Sequence, residues 1–183
     1  PKYKPHREYR RVYHNFIETK EDENGSLTQI DFKNEDKFNF AFDVIDAIAD
    51  KKPEKLAMLH LSKNKEERRF TFSDFKRESA RCANYFESIG IKKGSKVMLV
   101  LKRHYQFWIA MMGLNKIGAV AIPATNQLLK KDIVYRIQAS SACAVICVEE
   151  PEVQEHVLAS AAECDDLALF TLGDSIGFVN FDQ

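Results

Sequence analysis

Apolar residues recur at helical spacing in FNFAFDVIDAIADKKPEK, where Ala41, Val44, Ile45, Ile48 and Ala49 share one face and Pro53 stops the run. LAMLHL and RFTF then read as two short strands, joined through the charged link Ser62 to Arg68 into a hairpin-like unit. Ser73 is placed to cap a helix running to Gly90, with an apolar stripe of Phe75, Cys82, Ala83, Phe86 and Ile89. Lys76, Arg77 and Glu78 lie off that stripe, and Gly90 stands where helices commonly end. After the turn Lys92-Lys93-Gly94 the pattern alternates. KVMLVL, AVAIPA, ACAVICV and LALFTLG read as continuous apolar strands. YQFWIAMMGLNKIG, LLKKDIVYRIQASS and PEVQEHVLASAAE read as the helices between them. Strands without polar alternation, separated by helices, predict a mostly parallel α/β sheet with helices on both faces. The helix around Phe107–Leu114 is apolar on nearly every side, which predicts burial all round.

The stretch from Pro1 to about Lys37 is polar, with one turn signal at Asn24-Gly25. We therefore divide the chain into an arm, 1–37, and a partial α/β subdomain, 38–183. FVNFDQ is strand-like and stops without a capping helix or polar tail, which reads as a cut inside a larger fold.

Composition narrows the function classes. The chain has 183 residues, with Lys+Arg and Asp+Glu both 27, so no global field favours nucleic acid. Lys2, Lys4, Arg7, Arg10 and Arg11 are followed closely by Glu18, Glu21, Asp22 and Glu23, which reads as a charge-mixed solvated arm. The longest apolar run, Ala142 to Val148, is far short of the roughly 18 residues of a spanning helix. The N-terminal basic residues precede no apolar stretch, so no secretory signal is read and a cytoplasmic location is expected. Cys143 and Cys147 lie four residues apart on one strand, about 13 Å, too far for a disulfide or a shared zinc. With Cys82 and Cys164 they read as small apolar residues.

Candidate chemistry is sparse. Seven glycines form neither a dinucleotide fingerprint nor a phosphate loop, and Gly173 and Gly177 bracket a surface turn. His6, His14, His60, His104 and His156 are scattered without a second ligand at diagnostic spacing. In open parallel sheets, ligands bind beyond the carboxyl ends of the strands. Three such ends carry polar groups: Lys102-Arg103-His104, Thr125-Asn126-Gln127 and Glu149-Glu150. The second is the most suggestive, because Pro123 ends its strand and a short polar run precedes the next helix. Glu149-Glu150, ahead of Pro151, is also accounted for as a helix start complementing the dipole. No strand ends in paired aspartates, as a phospho-receiver domain would require.

Three stretches together resemble the opening of an adenylate-forming acid–CoA ligase: FNFAFDVIDAIADKKPEKLAMLHL, then RRFTFSDFKRESARCANYFESIGIKKGSKVMLVLKR, then FWIAMMGLNKIGAVAIPATNQLLKKDIVYRIQASSA. The resemblance is nearest to the medium-chain acyl-CoA synthetases and runs from about Phe38 to at least Val148. It implies the N-terminal part of the synthetase large domain. Its two-step reaction turns an acid and ATP into an acyl-adenylate and pyrophosphate, after which coenzyme A displaces AMP. The implied partners are a small-molecule carboxylic acid, ATP and coenzyme A, with magnesium required by the full enzyme; a homo-oligomer stays open. The family's phosphate loop, adenylate pocket and catalytic lysine lie further along than this sequence reaches. The expectation is a fragment inactive alone and holding none of these ligands tightly, with a stand-alone binding or dimerisation module as the alternative. One site residue carries over: the resemblance implies that Gln127 lies close to bound coenzyme A. In LKRHYQFW, Lys102 and Gln106 depart from the proline and the acidic or aromatic pair that relatives often carry there. Glu149 and Glu150 stand where some acetate-activating relatives place arginines for the nucleotide end of coenzyme A.

Overall fold

A computed structural model describes residues 16–182. The basic cluster Lys2–Arg11, His6 and His14 lie outside the described residues.

The first described elements are antiparallel strands β1 (Ile17–Glu21) and β2 (Leu27–Phe32). Their turn is closed by Asp22, whose Oδ1 accepts from the backbone N–H groups of Asn24 and Ser26 at 2.9 and 2.8 Å. Part of the polar arm is thus a hairpin. Leu27, Ile30 and Phe32 are exposed, so no buried face imposes the alternation that marks a strand in sequence. A single 3₁₀ turn, Glu35–Lys37, leads to a π-helical turn, Ala41–Asp46, which runs into helix α1 (Ala47–Lys51). β3 (Leu56–Leu61) and β4 (Glu67–Thr71) then form the expected antiparallel pair.

Helix α2 (Phe72–Ser88) starts earlier than the Ser73 cap implied. Thr71 is the cap: its Oγ1 accepts from the Asp74 N–H at 3.1 Å, and Asp74 Oδ2 accepts from the Thr71 N–H at 2.9 Å. The reason is reciprocity. An acidic residue three positions on answers Thr71, whereas Ser73 would face Lys76, which has nothing to accept with.

The main sheet comprises β5 (Lys96–Val100), β6 (Val120–Pro123), β7 (Ala144–Cys147), β8 (Ala168–Thr171) and β9 (Val179–Asn180). Their spatial order is β6-β5-β7-β8-β9, and every pairing is parallel. The connecting helices are α3 (Gln106–Lys116), α4 (Lys130–Ser140) and α5 (Pro151–Ala161). From β5 the chain steps one way to β6, then back across β5 to β7. Right-handed crossovers therefore put α3 on one face and α4 and α5 on the other. The packing agrees: α2 lies against α3, and α4 against α5. Val97, Met98, Leu99, Ala144, Val145, Ile146 and Cys147 are fully buried between these layers. All four cysteines are free, and burial pushes the Cys82 and Cys147 thiols up to about 12.

Helix α3 departs from the expectation of burial all round. Ala110, Gly113 and Leu114 are buried, but Trp108 is 49% exposed. Trp108 opens onto an apolar groove with Phe40, Met58, Phe72 and Met112, because the layer outside α3 is incomplete there. On its inner side α3 meets α2 closely. A Cβ at Gly113 would stand 2.9 Å from Cys82 Sγ and 3.2 Å from the Ala83 backbone nitrogen. The N-terminal elements are tied to α3 by polar contacts. Asn39 Nδ2 donates to the Asn115 carbonyl at 2.8 Å, and Lys116 Nζ meets Asp46 Oδ2 at 2.9 Å with both side chains nearly buried.

Candidate functional site at the carboxyl edge of the sheet

The strand order decides which polar ends meet. Because β5 lies between β6 and β7 and sends its chain to the opposite face, the connections diverge around the end of β5. A crevice opens at such a switch point. The ends of β5 and β7 converge there: Lys102 Nζ donates to Glu150 Oε1 at 2.6 Å. The resulting open cleft of about 340 Å³ is lined by His104, Gln106, Glu149, Glu150, Gly173 and Asp182, among others.

Each wall has a local cause. Gln106 is the first residue of α3, so its backbone direction is set by the helix, and Tyr105 before it is clamped between neighbours. The Tyr105 ring lies 5.0 Å from Phe70 and 5.5 Å from His60, with the Arg68 guanidinium 4.6 Å from its centroid. Across the cleft, Phe181 stacks on Phe86 at 5.8 Å, which delivers Asp182 to the rim. Asp182 Oδ1 accepts from Gln106 Nε2 at 2.8 Å. Gly173 has φ +79°, so this turn favours glycine for its conformation, and its bare Cα lets the Glu149 carboxylate lie 2.5 Å from where a Cβ would stand.

Two polar atoms in this cleft are buried without a hydrogen-bond partner, His104 Nδ1 and Gln106 Oε1. Gln106 is only 9% exposed. Burial pushes the His104 imidazole below the ordinary histidine range, against the opposing pull of Glu150 and Asp182. Burial thus favours the uncharged form of the ring.

Gln127, the one site residue carried over from the family resemblance, stands elsewhere. It occupies the exposed turn after edge strand β6, where its backbone N–H donates to Thr125 Oγ1 at 3.3 Å. Its side-chain carboxamide makes no hydrogen bond among the described residues. The three polar strand ends thus divide two and one. His104 and Glu149-Glu150 share a cleft, and Thr125-Asn126-Gln127 does not. In the sequence the members of the first group stand separately, and no local pattern marks Asp182 as a site residue. The departure of Gln106 from its relatives' pattern was the available signal.

His60 lies in β3 and His156 on α5, as the pattern placed them. Among the described residues no group of three or more His, Cys, Asp or Glu side chains could hold a metal ion. No helix among them is long and apolar enough to cross a membrane.

Residues 45–178 match the family model described as AMP-binding enzyme. Acyl-coenzyme A synthetase ACSM3, mitochondrial, of Homo sapiens is 37% identical over 138 residues, covering 71% of this chain and 23% of its own. Acyl-coenzyme A synthetase ACSM5, mitochondrial, of Rattus norvegicus is 31% identical over 153 residues, covering 79% and 26%. Among solved structures, an acyl-CoA synthetase of Brucella canis superposes with a TM-score of 0.67 at 24% identity, over 79% of this chain and 26% of its own. The chain therefore spans about a quarter of the length of the curated relatives it matches. The names of these relatives overturn the cytoplasmic expectation, because they are mitochondrial proteins. The physical reason is that mitochondrial transit peptides are amphipathic and basic, so a test keyed to an apolar run does not detect them.

Proposed function

The chain belongs to the AMP-binding enzyme family, and from that premise we propose that it forms the N-terminal portion of an AMP-forming acid–coenzyme A ligase. The reading rests on the match to acyl-coenzyme A synthetases across 71% of the chain, which takes in only 23% of the relative. In the reaction proposed for the whole protein, the carboxylate attacks the α-phosphorus of ATP and expels pyrophosphate. The thiolate of coenzyme A then attacks the acyl carbon and expels AMP. The first step is needed because a carboxylate anion repels nucleophiles and has no leaving group. This portion presents no phosphate-binding loop, and no group of three or more His, Cys, Asp or Glu among its described residues could hold a metal ion. The adenylation step is therefore assigned to residues outside it.

Its own contribution is the carboxyl edge of the sheet. Gln127 offers an exposed, unengaged carboxamide there, able both to donate and to accept. That chemistry suits the amides and hydroxyls of the pantetheine arm better than a charge does. A neutral hydrogen bond of this kind is worth about 0.5–1.5 kcal/mol. In the whole ligase, Gln127→Ala is expected to raise the apparent KM for coenzyme A by roughly twofold to tenfold. ATP–pyrophosphate exchange measured without coenzyme A stays nearly unchanged. An equal fall in exchange overturns the assignment of Gln127. The 183-residue chain alone is expected to release no pyrophosphate from ATP with butyrate or hexanoate, and release above a blank overturns the fragment reading. The relatives' names support a mitochondrial workplace for the whole protein, which subcellular fractionation checks.

A further inference from the structure

We propose that the cleft at the carboxyl ends of β5, β7 and β8 binds a primary ammonium group, held by Gln106 Oε1 and the Glu149 carboxylate beside the His104 ring. The proposal is independent of the ligase reading.

The cleft has acceptors left over and no donor to match them. Gln106 spends its amide nitrogen on Asp182, which leaves Oε1 buried and unpartnered. Beside it, His104 Nδ1 is also buried without a partner. Glu149 makes no hydrogen bond or ion pair among the described residues, and its carboxylate is pressed over the bare Cα of Gly173 at the cleft wall. The one lysine beside the cleft, Lys102, is committed to Glu150. Glu149, Glu150 and Asp182 against Lys102 leave a net charge of minus two. An anion is therefore repelled. A buried carbonyl without a donor is costly, so the occupant that relieves it must bring N–H or O–H groups. An ammonium brings three donors and a positive charge on one compact centre. A divalent cation fits less well, because no three charged or imidazole ligands converge among the described residues.

Two sources share this chemistry: a free alkylamine, and a lysyl side chain reaching in from another segment. The test is side-chain amide and imidazole NMR on the 183-residue chain at low ionic strength, referenced to equal sodium chloride. The probes are butylammonium, Nα-acetyl-lysinamide and tetramethylammonium. A saturable shift of the Gln106 side-chain amide and the His104 ring is expected with the first two. None is expected with tetramethylammonium, which has the charge but no N–H donor. Tighter binding of butylammonium assigns a free amine, and tighter binding of the lysinamide assigns a lysyl side chain. Glu149 is exposed and unpartnered, so its substitution leaves the fold intact. Glu149→Gln is expected to weaken binding roughly threefold, and Glu149→Lys to abolish it. No saturable shift with either amine overturns the proposal. So does an equal response to tetramethylammonium, or a response that survives Glu149→Lys.

Discussion

The parallel sheet and the hairpin that precedes it are both made of short strands, yet they are held by different forces. In β5 and β7 the side chains of Val97, Met98, Leu99, Val145 and Ile146 are shut off from water on both faces of the sheet. In β1 and β2 the strands are joined by a hydrogen-bonded ladder with a bulge between Lys20 and Glu21, but Leu27, Ile30 and Phe32 remain exposed. A ladder alone contributes little net stability, because water offers the same hydrogen bonds to the open chain. Apolar burial distinguishes the two, and mutations should therefore have unequal effects in them.

The largest expected effect is in the sheet layer. Phe86 is fully buried under the sheet, and Phe86→Ala is expected to lower stability by about 3–5 kcal/mol, read as a shifted urea midpoint. Phe32→Ala in the hairpin removes a ring that is 64% exposed and is expected to change stability by less than about 0.5 kcal/mol. Comparable losses at the two sites would erase the distinction.

Next comes the tie between the regions. Asp46 and Lys116 form an ion pair with side chains only 11% and 5% exposed, joining the N-terminal elements to α3. Removing one partner strands the other charge. Asp46→Ala is expected to cost about 3 kcal/mol, and the double variant Asp46→Ala, Lys116→Met to recover part of it. A double variant no better than the single would show that packing, not charge, joins the regions.

The smallest of the three concerns the boundary residue Thr71. Thr71→Ala removes half of the capping box and is expected to cost about 1 kcal/mol. The Thr71 backbone N–H, followed by its hydroxyl, holds the Asp74 carboxyl below its ordinary value of 3.8. A group whose folded pKa is depressed contributes stability above its unfolded pKa and loses it as pH falls through the folded value. The deficit of Asp74→Asn against the parent protein should therefore be full at pH 7 and shrink below about pH 4 in acid titrations followed by circular dichroism. A deficit unchanged at pH 2 would mean that shape, not charge, makes the cap.

These contrasts also explain what could be read from the sequence. KVMLVL and ACAVICV announce themselves because burial on both faces removes the polar alternation, and the parallel sheet follows. The hairpin over Ile17–Phe32 gives no such pattern, since solvent meets both of its faces. Trp108 misleads for a related reason: an apolar residue in an apolar helix reads as buried, and only packing shows the groove above it. The site is harder still. Gln106 and Asp182 share a hydrogen bond across 76 positions, and no local pattern contains the strand order that brings them together. Gln127 is marked by its polar strand end as well as by resemblance, and geometry leaves it in the turn after the edge strand, away from the cleft.

The central place of β5 also bears on synthesis at the ribosome. β5 emerges first of the five strands, yet one flank waits for β6 and the other for β7, with two helices translated in between. At about 5–20 residues per second, that second flank stays open for a time on the order of seconds. During that time β5, apolar from Val97 to Val100, is an unpaired edge of the kind that recruits neighbouring chains. A run of slow codons between β6 and β7 should prolong that interval and lower the soluble yield. The same pause placed after β8 should leave the yield unchanged.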